Sequence, residues 1–161
     1  TLNTTLRLGS ILGPTVPDFF DFYLGGLIGM KAYPFYAISG NEIAWLNFTY
    51  RFPLFRNIDT RAGHLYIDKI FFSFNADIGN AWNADATTIE SFKKGVGAEL
   101  RIQLSSYYLF PTSVFVSGSY GFDEFKRTVN NEIVTYGKEW NLYAGVLFGF
   151  EILNFNKSPR F

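Results

Sequence analysis

The sequence predicts an all-β fold, a transmembrane antiparallel β-barrel, and two observations carry this prediction. Six segments alternate apolar and polar residues with a period of two, and a strand points successive side chains to opposite faces. The apolar side of these segments is rich in large aromatic residues, in a chain that holds 19 Phe and 10 Tyr. One apolar wall and one polar wall are typical of a strand that separates lipid from a wet lumen.

The clearest segment is Glu42–Leu54, whose polar side carries Asn47, Thr49 and Arg51. Its other side is apolar and consists of Ala44, Leu46, Phe48, Tyr50, Phe52 and Leu54. The remaining predicted strands are Leu2–Ile11, Tyr66–Asn80, Phe92–Leu104, Thr112–Phe122 and Glu139–Ile152. All six reach the roughly 9–11 residues that a tilted strand needs to cross a bilayer.

The connections differ in character. Residues 12–40, the long loop, contain Pro14, Pro17 and Pro34, which exclude a central strand. The many aromatic residues of the long loop predict that it packs against something, which we expect to be the inside of the barrel. Residues 83–91 are predicted to form a turn or loop, and residues 123–138 a charged loop on the solvent side.

Six strands cannot close a membrane barrel, because the smallest such barrels have about eight. We therefore expect residues 1–161 to be the C-terminal part of a larger barrel, or to close a barrel with other chains. A soluble β-barrel or sandwich is the alternative fold, and a soluble lipid-binding barrel of this kind would fractionate without detergent. Strands longer than the usual five or six residues favour the membrane barrel.

The composition of the chain argues against several kinds of functional site. The chain has no Cys and a single His, His64, which argues against a zinc site and against a catalytic centre built on those residues. Its net charge is zero, which argues against recruitment of a nucleic acid by bulk charge. We expect no enzymatic activity, no catalytic residues, no metal and no cofactor.

Four motifs occur in a fixed order: GMKAYP at 29–34, LNFTYRFPL at 46–54, FNADIGNAW at 74–82 and KGVGAELR at 94–101. In this order they resemble the C-terminal barrel half of the bacterial surface antigen family. That family includes the central subunit of the outer-membrane barrel assembly machinery, its translocation-and-assembly relatives and two-partner-secretion transporters. The resemblance implies a barrel of about 16 strands in the bacterial outer membrane, which assembles or translocates outer-membrane or secreted proteins. Its implied partners are lipids, the rest of the barrel and unfolded outer-membrane proteins.

The same resemblance implies site residues. In the family the long loop folds into the lumen, and an Arg-Gly-Phe/Tyr motif at its tip contacts acidic residues of the inner wall. The matching positions are Lys31, Ala32 and Tyr33, and the matching inner-wall acid is Asp77. Lys keeps the charge of Arg without its planar fork, and Ala lacks the backbone freedom of Gly.

Alternation independently places Arg7, Arg51, Glu99 and Arg101 on the polar side of their strands, together with Asp77. We predict an ion pair between Lys31 and Asp77, although several of these charges could pair interchangeably. The resemblance also implies that the last strand, residues 139–152, pairs weakly with the first and opens for substrate strands. Gly145 and Gly149 would weaken that strand, since glycine offers no side chain to pack. The alternative function is a passive outer-membrane channel or a structural subunit of a larger surface complex.

Overall fold

The computed structural model describes residues 1–13, 17–56, 58, 60–63, 65–83, 92–106, 111–129 and 132–148. These residues form an all-β structure with one short 3-10 helix, Asp18–Phe20. The strands are β1 Leu2–Ser10, β2 Phe22–Tyr23, β3 Ser39–Gly40, β4 Glu42–Phe55, β5 Thr60–Ala62, β6 Leu65–Trp82, β7 Lys93–Ser106, β8 Pro111–Gly121, β9 Phe125–Val129, β10 Glu132–Tyr136 and β11 Trp140–Phe148. No helix within these ranges is long and apolar enough to cross a membrane.

The main sheet has the strand order β1-β4-β6-β7-β8-β11, with β5 attached to β6. Every neighbouring pair is antiparallel. Its six long strands confirm the six predicted strands, and their order in the sheet follows their order in the chain. The last strand is described only from Trp140 to Phe148, so the rest of the predicted 139–152 segment, with Gly149, lies outside the described residues. His64 lies outside them too.

The main sheet exposes its apolar face and covers its polar face, which is the reverse of the usual arrangement in a soluble protein. On one face large apolar side chains are exposed, for example Leu8 at 71%, Phe74 at 53% and Leu142 at 76%. On the other face polar side chains are buried, with Asp77 at 5% and Ser117 at 0%. The alternation in the sequence therefore separates an uncovered apolar face from a covered polar face.

The covering of the polar face is the long loop. Its backbone folds on itself: Leu24 N–H donates to Ile38 C=O (3.0 Å) and Gly26 N–H donates to Tyr33 C=O (2.8 Å). Gly26 has φ +93°, a conformation that glycine adopts without strain. The loop packs, with β2 and β3 pairing at its base, but not in the way its aromatic content predicts. Tyr33 is buried, whereas Phe19, Phe20, Tyr23, Phe35 and Tyr36 are exposed. The buried contacts of the loop come mainly from its aliphatic residues and Met30.

Residues 123–138 differ from the predicted solvent loop. They contain a hairpin of β9 and β10, which returns to the sheet through Gly137 and Lys138 at φ 99° and 53°. Charged residues such as Lys126 and Arg127 conceal the strand pattern in the sequence. As described, the main sheet is open: β1 and β11 have neighbours on one side only.

Candidate functional site

The long loop meets the polar face of the sheet through both apolar and polar contacts. Leu24, Met30, Tyr33 and Ile38 of the loop form a buried cluster that includes Trp45 of β4. The only large buried hydrophobic cluster described thus lies between the loop and the sheet. Because the loop supplies most of this cluster, its position is fixed by packing as well as by charge.

Lys31 extends from the loop tip to the wall of the sheet. Its Nζ lies 2.8 Å from Glu99 Oε2, and the Glu99 side chain is only 6% exposed. Arg101 donates through Nε and an Nη to the other oxygen of Glu99, at 3.0 and 2.6 Å. The predicted pair of Lys31 with Asp77 is therefore wrong: Lys31 pairs with Glu99.

Asp77 has a different set of partners, which explains this correction. Its oxygens accept hydrogen bonds from Trp45 Nε1 (3.1 Å), Asn47 Nδ2 (2.7 Å) and Asn75 Nδ2 (3.1 Å). These donors belong to β4 and β6, so Asp77 is satisfied within the sheet. Glu99 is one methylene longer and lies on β7, where its carboxylate reaches the lysine of the loop.

Ala32 and Tyr33 follow Lys31 into close contact with the sheet. A Cβ atom on Gly95 would collide with the Ala32 side chain, and one on Gly121 would lie 3.0 Å from the Tyr33 ring. Two glycines of the sheet thus allow the loop backbone to approach. Asn141 of β11 donates from Nδ2 to the Ala32 carbonyl at 2.9 Å, a contact that the sequence analysis did not foresee.

The Tyr33 hydroxyl is held by backbone. It donates to the Lys94 carbonyl at 2.9 Å and accepts from the Asp123 N–H at 3.2 Å. Burial raises the pKa of Tyr33 from 10.0 to about 12, although its backbone hydrogen bonds act in the opposite direction. The neutral phenol is therefore the form that fits the site at any ordinary pH.

The β9–β10 hairpin clamps the loop from the other side. The Phe125 ring lies 5.8 Å from the Tyr33 ring, and Arg127 donates to the carbonyls of Tyr36 (2.8 Å) and Ala37 (3.3 Å). Lys93 lies over the Phe125 ring at 4.6 Å. No motif in the sequence pointed to this hairpin, because its contacts are to backbone carbonyls and aromatic rings.

The other predicted residues lie near this interface without joining one cluster. The Arg7 guanidinium lies 4.9 Å from the Trp45 ring centre, which favours a cation–π contact. Arg51 lines a cavity beside Lys31 at the loop tip. Gly145 sits on the edge strand β11 opposite Phe115, and a Cβ atom there would lie 2.9 Å from the Phe115 ring.

The contacts described above fix the long loop against the polar face of the sheet. Among the described residues, no group of three or more His, Cys, Asp or Glu side chains could hold a metal ion. Three comparisons bear on identity: no family model, no curated protein and no solved structure matches this chain.

Proposed function

We propose that this chain forms part of an outer-membrane β-barrel that assembles, inserts or translocates outer-membrane or secreted proteins. One observation carries the proposal: the exposed face of the sheet is apolar and the covered face is polar. In water, a sheet that exposes this many large apolar residues would aggregate, since soluble monomers rarely expose apolar patches above a few hundred Å². In a bilayer the same face is solvated by lipid.

The charges support the same orientation. Glu99 and Arg101 lie on the polar face, whereas charge on a lipid face costs about 2–4 kcal/mol for Arg or Lys near the bilayer centre. The aromatic residues of the apolar face also pack against one another, as Phe72 does with Phe74 at 4.8 Å between ring centres. Strand length agrees too, because the shortest main strands, β1 and β11, have nine residues, within the range that a tilted strand needs.

The open edges support a larger barrel. An unpaired strand edge in hydrocarbon costs several kcal/mol for each exposed backbone group, and both β1 and β11 have a free edge as described. Further strands, to a total of about 16 by the family resemblance, would remove these edges. The polar face would then line the lumen, and the long loop would plug it.

The proposed mechanism needs no cofactor. The long loop is fixed by Lys31–Glu99 and by Tyr33, so it would stay in place while the wall beside β11 opens for a substrate strand. β11 suits this role because it is an edge strand with Gly145 in its interior.

Disulfide cross-linking tests the opening. The chain has no Cys, so Gly145→Cys can be paired with one cysteine in the strand that flanks β11 in the complete barrel. We expect the oxidised protein to lose insertion of a barrel substrate into liposomes and the reduced protein to regain it. Each single-cysteine variant is the matched control. Full activity of the oxidised protein would contradict the opening.

A passive channel or a structural barrel subunit is the second candidate. A cavity of about 470 Å³ beside the loop tip favours it, because the loop leaves this part of the polar face uncovered. Planar-bilayer conductance separates the two functions: a channel conducts steadily without substrate, whereas an assembly factor inserts substrate. Recovery of the chain in the aqueous fraction without detergent would contradict both.

A further inference from the structure

The cavity beside the loop tip is lined by Arg51, whose side-chain Nε has no hydrogen-bond partner. Leu27, Ile28 and Lys31 of the loop form one side of this space, and Arg51 and Asn75 of the sheet form part of the other. The Nε atom of Arg51 is buried and has no hydrogen-bond partner. Buried polar atoms in proteins are normally hydrogen-bonded, so the unmatched Nε–H of Arg51 leaves a cationic donor in this cavity for an anion.

The charges that line the cavity do not balance. Lys31, Arg51 and Arg101 are cationic, whereas Asp77 and Glu99 are anionic. Glu99 is bound by Lys31 and Arg101 together, and Asp77 accepts only from neutral donors of the sheet. Among the lining side chains one positive charge is therefore in excess, and Arg51 is the cation without an acidic partner.

The neutral neighbours do not replace the missing anion. Thr49 donates its hydroxyl to Asn47 Oδ1 at 3.0 Å, and Asn47 Nδ2 donates to Asp77 at 2.7 Å. These side chains form a chain of hydrogen bonds that runs toward Asp77. Within the described residues, Arg51 has no carboxylate within salt-bridge distance.

We propose that this cavity binds a carboxylate group at Arg51. A carboxylate brings one negative charge, which balances the excess, and its planar pair of oxygens matches the fork of a guanidinium. Leu27 and Ile28 offer apolar surface beside Arg51, so the ligand carries a short apolar chain. Such a group can come from a free organic acid or from a Glu or Asp side chain of a polypeptide within the barrel.

Tryptophan fluorescence tests the proposal, because Trp45 lines the same cavity. The full chain in detergent micelles, with Trp82→Phe and Trp140→Phe, is titrated with sodium butyrate against sodium chloride at equal ionic strength. We expect a saturable change with butyrate alone. Arg51→Gln should weaken binding by about tenfold, while Arg56→Gln, an exposed arginine outside the cavity, should leave it unchanged.

Two capped tripeptides separate the sources of the carboxylate. A polypeptide ligand is supported if Leu-Glu-Leu binds about tenfold more tightly than butyrate and Leu-Gln-Leu does not bind. Equal binding of butyrate and Leu-Glu-Leu supports a free acid. The proposal is overturned if neither saturates, if chloride acts like butyrate, or if the Arg51 and Arg56 variants behave alike. Arg51→Lys, which keeps the charge without the planar fork, should bind butyrate more weakly than the parent protein and more tightly than Arg51→Gln.

Discussion

Replacement of Lys31 by Met tests how firmly the long loop is fixed. Met keeps the length and most of the apolar stem of Lys and removes the charge. The Nζ of Lys31 lies 2.8 Å from Glu99 Oε2, and the two side chains are 22% and 6% exposed. In Lys31→Met, Glu99 keeps its hydrogen bonds from Arg101, so it is not left unpaired.

The expected magnitude lies between two known limits. Exposed ion pairs contribute about 0–1 kcal/mol, and removal of one partner from a fully buried pair costs about 3–5 kcal/mol. Because one side chain is buried and Arg101 remains, we expect the loop to lose about 2 kcal/mol, intermediate between these limits. Loop opening should then be roughly 30-fold more frequent, since 1.4 kcal/mol is a factor of ten.

Hydrogen exchange measures this opening directly. The amides of Leu24, Gly26 and Met30 donate within the loop, so their exchange rates report how often the loop opens. The matched control is Lys69→Met, which removes a pair with Asp68 whose side chains are 40% and 35% exposed. It should change loop exchange little. Unchanged exchange in Lys31→Met, or an equal rise in both variants, would refute the reasoning.

Three further predictions concern the same interface. Gly95→Val forces a side chain into Ala32 and should destabilise the loop by about 1–3 kcal/mol, seen as a lower Tm, whereas Gly118→Ala should cost less. Because the pKa of Tyr33 is raised to about 12, its contribution to stability is complete below pH 10 and is lost between about pH 10 and 12. Denaturant unfolding should show this loss of stability, and Tyr33→Phe should reduce it. Arg127→Ala should lower the free energy of loop opening by about 0.5–1.5 kcal/mol, which hydrogen exchange of the loop amides would show as faster exchange. An unchanged exchange rate would contradict the contact between Arg127 and the loop.

The main strands were predictable because each of their residues must suit one of two faces, apolar or polar. A face that meets apolar surroundings and a face that meets polar ones impose a period of two, and this period is clear from Glu42 to Leu54. The packing of the long loop was predicted from its aromatic residues, but most of these are exposed, such as Phe19 at 84% and Tyr36 at 68%. Its buried contacts come mainly from Leu24, Met30 and Ile38, which follow no period that a sequence pattern could reveal.

The partners within the site were less predictable. Lys31 pairs with Glu99 and not with Asp77. Two features explain this pairing: the side chain of Glu99 is longer, and three neutral donors already bind the carboxylate of Asp77. The β9–β10 hairpin was missed because Lys126 and Arg127 give it the composition of a solvent loop. The unmatched Arg51 could not be found from the sequence, because a missing partner becomes visible only when all neighbouring groups are placed.

The central claim is that the apolar face meets lipid and the polar face meets water and the loop. Single cysteines make this measurable, because the chain has no Cys of its own. A fluorophore at Phe74 or Val116, on the apolar face, should be quenched in liposomes by lipid-attached quenchers and protected from iodide. A fluorophore at Asn3, an exposed position on the polar face opposite Thr49, should escape the lipid quenchers. Iodide quenching at Phe74 and Val116 equal to that of the free dye would contradict the account.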